Sequence, residues 1–258
     1  MQTLHTMLTR IHQCLDLDTE RAKAAEHNRA DARSLAKRFP LVHRTVRVGG
    51  PRLSEVLAAG RLIAGNPCTH REAHCGIQRA LYFFLGCGAF PEGAVAFLAD
   101  SAVLDRTPAT FTPFDTGALE RHACPHDGAV PWGDAEKDAF LARHLGFGQH
   151  ALDFSAEYLA SHFHSPVDYV RRQQHSEPDF PTYHGLKSTS GDRRAWSIEV
   201  QLGGDLALDA PHMRAIVLGQ PDLLADIPDD LVGRVVIADA EGSITPTIHR
   251  LITSEAIV

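Results

Sequence analysis

Hydrophobic residues recur at helical spacing near the start of the chain. Apolar positions three or four residues apart predict an amphipathic helix over residues 3–15, with its apolar side formed by Leu4, Met7, Leu8, Ile11 and Leu15. Residues 19–38 are rich in Ala, Arg, Lys and Glu and polar nearly all round, so a second helix is expected to lie on the surface or over a cleft. Pro40 has no amide hydrogen and is expected to end this helix.

Apolar runs between turn residues predict strands in the rest of the chain. The first run is "LVHRTVRVGG" at 41–50, followed by a short helix over "LSEVLAAG" with Gly60 as its C-terminal cap. Residues 80–87 and 94–100 are compact and apolar, which is typical of buried strands. Four further strand-like runs follow towards the end of the chain: "AWSIEVQL", "MRAIVLG", "RVVIAD" and "TPTIHRLIT".

The middle of the chain shows little periodicity. Residues 105–150 are dense in Pro, Gly, Asp and His, which favours long loops with a short helix near 134–145. Within them, "FTPFDTGALERH" at 111–122 is expected to shape a loop near the functional site. Residues 155–173 are expected to form another helix. Strands towards both ends with helices between them indicate a single mixed α+β domain, preceded by a helical extension over residues 1–38.

Composition narrows the functional classes. The 258 residues carry a formal net charge of −7, which disfavours a protein whose main task is to coat nucleic acid. No apolar run approaches the ~20 residues of a membrane span, so we expect no membrane partner. The first residues lack the order of segments found in a secretory signal, so we expect no such signal. The five cysteines are odd in number and scattered, which favours reduced thiols and a cytoplasmic location.

"CTHREAHC" at 68–75 is the segment most similar to a metal site. Cys68, His70, His74 and Cys75 are ligand types that zinc prefers. All four crowd one segment, whereas structural zinc sites usually take two pairs of ligands from different elements, and the adjacent His74 and Cys75 would point apart. A polar helical surface is therefore favoured and no metal is predicted, while a zinc-dependent hydrolase stays an alternative.

Glu199 and His43 are the most conspicuous candidate functional residues. In "RRAWSIEVQL" the strand period places Glu199 on a polar face with Ser197 and Gln201; this face turns either towards solvent, which is favoured, or into a polar cleft. His43 and Thr45 likewise share one face of an otherwise apolar strand. The sequence has neither a G-x-S-x-G nucleophile turn nor a phosphate-binding loop, whereas two-carboxylate glycosidase chemistry is left open.

Three segments together resemble the NAD-consuming ADP-ribosyltransferases. In that family a first strand with a His-x-Thr-like motif precedes a helix and a return segment, as "VHRTVR" and "LSEVLAAGRLI" do here. A second strand carries an aromatic residue, as "ALYFFLG" does, and a late strand carries the catalytic glutamate, as "AWSIEVQL" does. The order and spacing of these short motifs carry the resemblance, which spans residues 40–240.

The resemblance implies a split, mixed β core of ADP-ribosyltransferase type over residues 39–258, with NAD as the substrate. It implies that Glu199 is catalytic, that it faces His43 across one cleft sized for a dinucleotide, and that the cofactor is bound by His43, Arg44, Thr45, Tyr82, Arg193 and Arg194. Within that set, the Tyr82 ring would stack on nicotinamide. The acceptor of ADP-ribose is open between a nucleic-acid base, a protein side chain and a small molecule, and Ser197, two residues before the glutamate, disfavours an arginine acceptor. A non-catalytic binding module is the other alternative.

Overall fold

The protein has a mixed α+β structure. A computed structural model describes residues 1–15, 19–44, 53–65, 70–86, 95–105, 107–122, 132–172, 193–238 and 244–253. The helices of these residues are α1 (Leu4–Leu15), α2 (Thr19–Ala36), α3 (Leu53–Ala59), α4 (His70–His74), α5 (Thr116–His122), α6 (Asp134–His144), α7 (Ala151–His162), α8 (Pro166–Arg172), α9 (Asp229–Val232) and α10 (Ile244–Thr253). None of these helices combines the length and the apolar character that crossing a membrane requires.

Most of the strands form one sheet. The strands are β1 (Pro40–Arg44), β2 (Arg61–Leu62), β3 (Ala80–Leu85), β4 (Val95–Asp100), β5 (Ala109–Thr112), β6 (Gly146–Phe147), β7 (Glu199–Gly203), β8 (Leu206–Ala207), β9 (Met213–Leu218) and β10 (Val235–Ile237). Eight of them join in the order β10-β9-β4-β1-β3-β7-β5-β6, while β2 and β8 form a separate pair. Among the described residues of this sheet, only the pairing of β9 with β10 is parallel. The α+β class predicted from the sequence is therefore confirmed.

The sheet opens between its two central strands. Strand β1 pairs with β3 at Leu41↔Leu85 and Val42↔Phe84. Beyond that point β1 continues to pair with β4 as far as Arg44, and β3 continues to pair with β7. The first half of the sheet thus diverges from the second half immediately after Val42, next to His43. We call this place the fork.

Helices cover both faces of the sheet. One face carries Phe83 and Phe111, which are both register partners of Val200 on β7. This face packs against α7, whose Phe154 ring lies 5.2 Å from the Phe111 ring. The opposite face carries Phe84 and Glu199. Helices α4 and α5 cover it, through Glu72 and Thr116, and both of these helices contact α6. Helix α2 packs along α7, and the buried apolar residues of α1 and α2 belong to the same hydrophobic core as the sheet.

Several local predictions are confirmed by the structure. Helix α2 ends before Pro40, which begins β1 instead, and α3 ends at Gly60, whose φ of +63° is a conformation that favours glycine. Helix α6 occupies the segment predicted to be helical near 134–145. The surrounding segment, predicted as long loops, also contains β5, α5 and β6.

Two element predictions are wrong. "TPTIHRLIT" was expected to be a strand, but it lies in the helix α10. Ile244, Ile248 and Ile252 recur every four residues and are buried, so burial along one helical side outweighs the strand preference of β-branched residues. The single helix expected over 155–173 is divided into α7 and α8, because Pro166 begins a new helix at a position where its missing amide hydrogen costs nothing.

Candidate functional site

Glu199 lies at the start of β7, on the sheet face that the helices α4 and α5 cover. Its neighbours in register are Phe84 on β3 and Thr112 on β5. Only 5% of the Glu199 surface is exposed. The favoured expectation of a solvent-facing carboxylate is therefore wrong, and the alternative that the sequence left open, a carboxylate among buried polar groups, is the one found.

Hydrogen bonds to Glu199 converge on one of its two carboxylate oxygens. Oε1 accepts from the Thr116 amide at 3.2 Å, from the Thr116 hydroxyl at 2.8 Å and from Gln201 Nε2 at 2.8 Å. Thr116 begins α5, where amide hydrogens have no partner within the helix and can be donated elsewhere. In the described part of the chain no hydrogen bond reaches Oε2, so that oxygen can still accept one from a ligand.

The orientation of the Gln201 amide is fixed by its other contacts. The Thr112 hydroxyl donates to the carbonyl of Phe114 at 2.6 Å, so its oxygen is left to accept from Gln201 Nε2 at 3.3 Å. On the opposite side of the amide, the Thr110 hydroxyl donates to Gln201 Oε1 at 2.8 Å. This pattern assigns the nitrogen to the side that faces Glu199.

A second buried carboxyl lies next to the first. Glu72 on α4 is fully buried and accepts a hydrogen bond from the Tyr82 hydroxyl at 3.0 Å. Its Oε1 also lies within hydrogen-bond reach of the Thr116 hydroxyl. Tyr82 lies opposite Gln201 in the β3–β7 register, so it projects from the same face as Glu199. Tyr82, Glu72, Thr116 and Glu199 thus form one continuous polar network.

Helix α4 is held in place by a buried arginine. Arg71 is 1% exposed and donates to the backbone carbonyl of Asp134 at 2.8 Å, to its carboxylate at 3.0 Å, and to the carboxylate of Asp138. These bonds join α4 to α6 and lower the pKa of Asp134 below its usual value. Because α4 is five residues long, this anchor determines where the adjacent Glu72 lies.

Burial and neighbouring carboxylates disfavour the charged form of Glu199. Its pKa is raised well above the usual value, first by burial and then by the negative charge of Asp115, with a smaller contribution from Glu72. The hydrogen bonds from Thr116 and Gln201 act in the opposite direction. Asp115 is itself fixed, since its carboxylate accepts from the Gly117 amide at 2.7 Å. The segment 111–122, expected near the site, supplies these contacts.

His43 lies at the fork, with its side chain on the other face of the sheet. Its Nδ1 lies 2.8 Å from the carbonyl oxygen of Tyr82, and a carbonyl can only accept, so Nδ1 carries the hydrogen and Nε2 can accept one. Burial lowers the pKa of His43, which favours the neutral imidazole. The ring lies 5.5 Å from the Phe83 ring and 6.5 Å from the Phe97 ring.

The resemblance implied that His43 and Glu199 face each other across one cleft, but the structure places their side chains on opposite faces of the sheet. Glu199, Phe84 and Val42 are aligned across three neighbouring strands, so their side chains share a face. His43 follows Val42 directly, and successive residues of a strand project to opposite faces. The sequence motifs placed both residues on strands, but the register between those strands decides the face.

The other predicted cofactor contacts occupy different positions. Arg44 is buried, and its Nη2 donates to the Thr245 hydroxyl of α10 at 2.6 Å. The carbonyl of Arg194 accepts from the amide of Asp115 at 2.8 Å, so its backbone borders the site. Arg193 begins the same short helical turn, and its side chain lies outside the described part of the structure, as does the whole of Thr45.

A cleft lies beside the polar network. It has a volume of about 660 Å³, and Gln201 and Thr110 form part of its wall, which places it two residues along β7 from Glu199. Arg79 borders it as well, together with Phe147, an apolar side chain that is 39% exposed. This volume lies within the range of small-molecule and cofactor sites, about 300–1,000 Å³.

The segment considered for zinc is only partly described. The ring centroids of His70 and His74 lie 5.8 Å apart. Burial raises the pKa of the half-buried Cys75 thiol. Cys68 lies outside the described residues. Among the residues that the structure describes, no group of three or more His, Cys, Asp or Glu side chains could hold a metal ion. Glu72 and Thr116 carry no sequence signal of a role in the site, because both become neighbours of Glu199 only through tertiary packing.

The assignment of a function depends on this arrangement of side chains. No model of a known protein family matches the chain, and a comparison with curated proteins finds no match to it.

Proposed function

We propose that the protein is an NAD-dependent mono-ADP-ribosyltransferase with a split β core of that type. It would cleave the bond between nicotinamide and ribose and transfer ADP-ribose to an acceptor. The single observation that carries this proposal is the state of Glu199: a buried carboxylate held through Oε1, with Oε2 left for a ligand. The opening of the sheet between β1 and β3 supports it.

Cleavage of the nicotinamide–ribose bond requires a carboxylate that is held in place and has one oxygen available to the ribose. As the nicotinamide–ribose bond breaks, positive charge develops on the ribose ring, and neutral nicotinamide leaves with the bonding electrons. Oε2 of Glu199 would accept a hydrogen bond from the 2-hydroxyl of that ribose, and this contact strengthens as the charge grows. The acceptor then bonds to the ribose carbon and loses a proton to solvent. Bonds to Thr116 and Gln201 fix the carboxylate before the reaction, so little reorganisation is needed.

The dinucleotide is expected on the face that carries Tyr82 and Glu199. Tyr82 is partly exposed and its hydroxyl is anchored to Glu72, so its ring is held in one orientation on which nicotinamide can stack. The cleft bordered by Gln201 and Arg79 has the volume for the rest of the molecule. His43 would offer its Nε2 as a hydrogen-bond acceptor only to a group that enters the fork. Contacts between NAD and Arg44, Thr45, Arg193 and Arg194 stay predictions.

Release of nicotinamide from NAD tests the proposal. Purified protein is incubated with NAD and candidate acceptors (nucleic acid, protein and small molecules), nicotinamide is measured by chromatography, and modified acceptors are identified by mass spectrometry. Glu199→Gln, which keeps the shape of the side chain, should lower the rate by ~10²–10³. Glu20→Gln is the matched control, because Glu20 is 83% exposed on α2. An unchanged rate in a folded Glu199→Gln protein would refute the role of this residue.

The same measurements separate the proposed enzyme from a binding module. A wild-type protein that binds NAD in calorimetry and releases no nicotinamide with any acceptor would be a non-catalytic binder. A wild-type protein that does neither would refute the proposed function as a whole.

A further inference from the structure

A small pocket lies between the strands β4, β9 and β10 and the last turn of α10. We call it the α10 pocket. Leu98 on β4 pairs with Val42 on β1, and Val42 pairs in turn with Phe84, the register partner of Glu199. Leu98 and Glu199 therefore share a face of the sheet but lie three strands apart, about 14 Å at the usual spacing of strands. The α10 pocket shares no described residue with the cleft beside Gln201.

The walls of the α10 pocket are largely apolar. Strands and the helix contribute them through Pro40, Leu98, Ala215, Val236, Leu251 and Ile252. The volume is about 210 Å³, below the ~300 Å³ at which sites for drug-sized ligands begin, so the pocket is too small for a dinucleotide. An engineered apolar cavity of about 150 Å³ binds benzene. The α10 pocket can therefore hold an apolar group as large as one benzene ring together with a few further atoms.

Three arginines border the α10 pocket, and no acidic residue does so in the described part of the chain. The Arg234 guanidinium is already engaged, because its Nη1 donates to the carbonyls of Ala210 and Met213 at 2.7 Å and 2.6 Å. The other two arginines are Arg38, which is exposed, and Arg214, which is half-buried. Within the described residues, neither of their side chains makes a hydrogen bond or an ion pair. Their N–H donors are therefore available to an anion.

A β-bulge brings Arg214 to the α10 pocket. Leu98 pairs with Ala215 on β9. The next residue of β4, Ala99, pairs with Met213, which leaves Arg214 as the extra residue of the bulged strand. A bulge interrupts the alternation of side chains and re-aims one of them. This explains how Arg214 and Ala215, which are consecutive, both border the pocket.

We propose that the α10 pocket binds a small carboxylate whose apolar part is about the size of a benzene ring. The apolar part fills the space between α10 and the sheet. The carboxylate accepts hydrogen bonds from Arg214 and Arg38, since the guanidinium fork matches the two oxygens of a carboxylate. A neutral ring would leave these donors unused, and a carboxylate without an apolar part would leave the walls uncovered. This binding goes beyond the proposed function, and its test uses no NAD, so either proposal can fail without the other.

Titration of the protein with benzoate, followed by NMR, tests the class of ligand. We expect one benzoate to bind per chain. Benzyl alcohol has the ring without the charge, and acetate has the charge without the ring, so each should bind at least about tenfold more weakly. A protein that does not bind benzoate, or that binds either comparison compound equally well, would overturn the proposal.

Variants test whether benzoate binds in the α10 pocket. Arg214→Gln should weaken binding by about tenfold, and Arg38→Gln, where the arginine is more exposed to water, by about two- to fivefold. Arg33→Gln is the matched control, because it removes the same charge from an exposed position on α2 outside the pocket and should keep wild-type affinity. Ala215→Leu should abolish binding by filling the pocket, with a melting curve to show that it is folded; if it is not, the arginine variants decide. Unchanged affinity in Arg214→Gln or Arg38→Gln, or an equal loss in Arg33→Gln, would overturn the proposal.

Discussion

Replacement of Glu199 by glutamine should make the protein more stable, and the gain should depend on pH. The change keeps the shape of the side chain and replaces a buried, ionisable group by a neutral one. The amide oxygen can still accept from Thr116 and Gln201, which now hold Oε1. What is lost is the cost of keeping charge among buried groups, next to Asp115 and Glu72.

The sign follows from the direction of the pKa shift. The pKa of Glu199 is higher in the folded protein than in the unfolded chain, so the folded state binds more protons between the two values. Its contribution to stability is complete below the unfolded pKa and is lost as the pH rises through the folded pKa. Each unit of difference between the two pKa values is worth about 1.4 kcal/mol. Wild type and Glu199→Gln should therefore have similar stabilities at pH 4 and diverge as the pH rises.

Urea denaturation at several pH values measures this divergence. Titrating groups away from Glu199 are common to the two proteins, so their effects largely cancel in the difference between the free energies of unfolding. In a chain of this size each 1 kcal/mol should also raise the melting temperature by about 2–4 °C. A variant that is no more stable than the wild type at pH 8, or whose advantage is the same at pH 4, would refute the reasoning.

Two further predictions concern packing around the sheet. The Tyr169 hydroxyl donates to the Leu85 carbonyl at 3.0 Å and accepts from the Ile198 amide at 3.2 Å. Tyr169→Phe should therefore lower the free energy of unfolding by about 1–3 kcal/mol for each backbone group left unsatisfied. An unchanged urea midpoint would mean that water replaces the hydroxyl. A Cβ atom at Gly146 would lie 2.4 Å from the buried ring of Phe111. Gly146→Ala should therefore destabilise the protein by about 1–3 kcal/mol through overpacking. A melting temperature equal to that of the wild type would contradict this prediction.

The sequence predicted the positions of helices and strands better than the register and packing between them. Pro40, Gly60 and the apolar runs of β3 and β4 gave local signals that the structure confirms, because turn residues and burial act over short distances. The failure at α10 has a local cause as well: its isoleucines suit a strand by composition and a helix by spacing. The face on which His43 projects could not be predicted, since it depends on a register between strands that are distant in the sequence.

The candidate site was predicted in part for the same reason. The strand period correctly placed Glu199 and Gln201 on one face. No pattern in the sequence indicated that this face would be covered, because Glu72 and Thr116 come from short helices without strong periodicity. Their contribution appears only when α4 and α5 are packed on the sheet.

The environment of Glu199 is therefore built by tertiary contacts and not by local helix preference. Helices of five and seven residues, as α4 and α5 are, are far shorter than the ~12–15 residues at which isolated helices become marginally stable. Arg71 holds α4 against α6 from within the core, and Phe114 packs on Phe140 with ring centroids 5.3 Å apart, just before α5 begins. These contacts keep two acidic groups next to a third whose ionised form burial disfavours. The stability of the rest of the domain offsets that local cost, as it does at many functional sites where charge is held away from water.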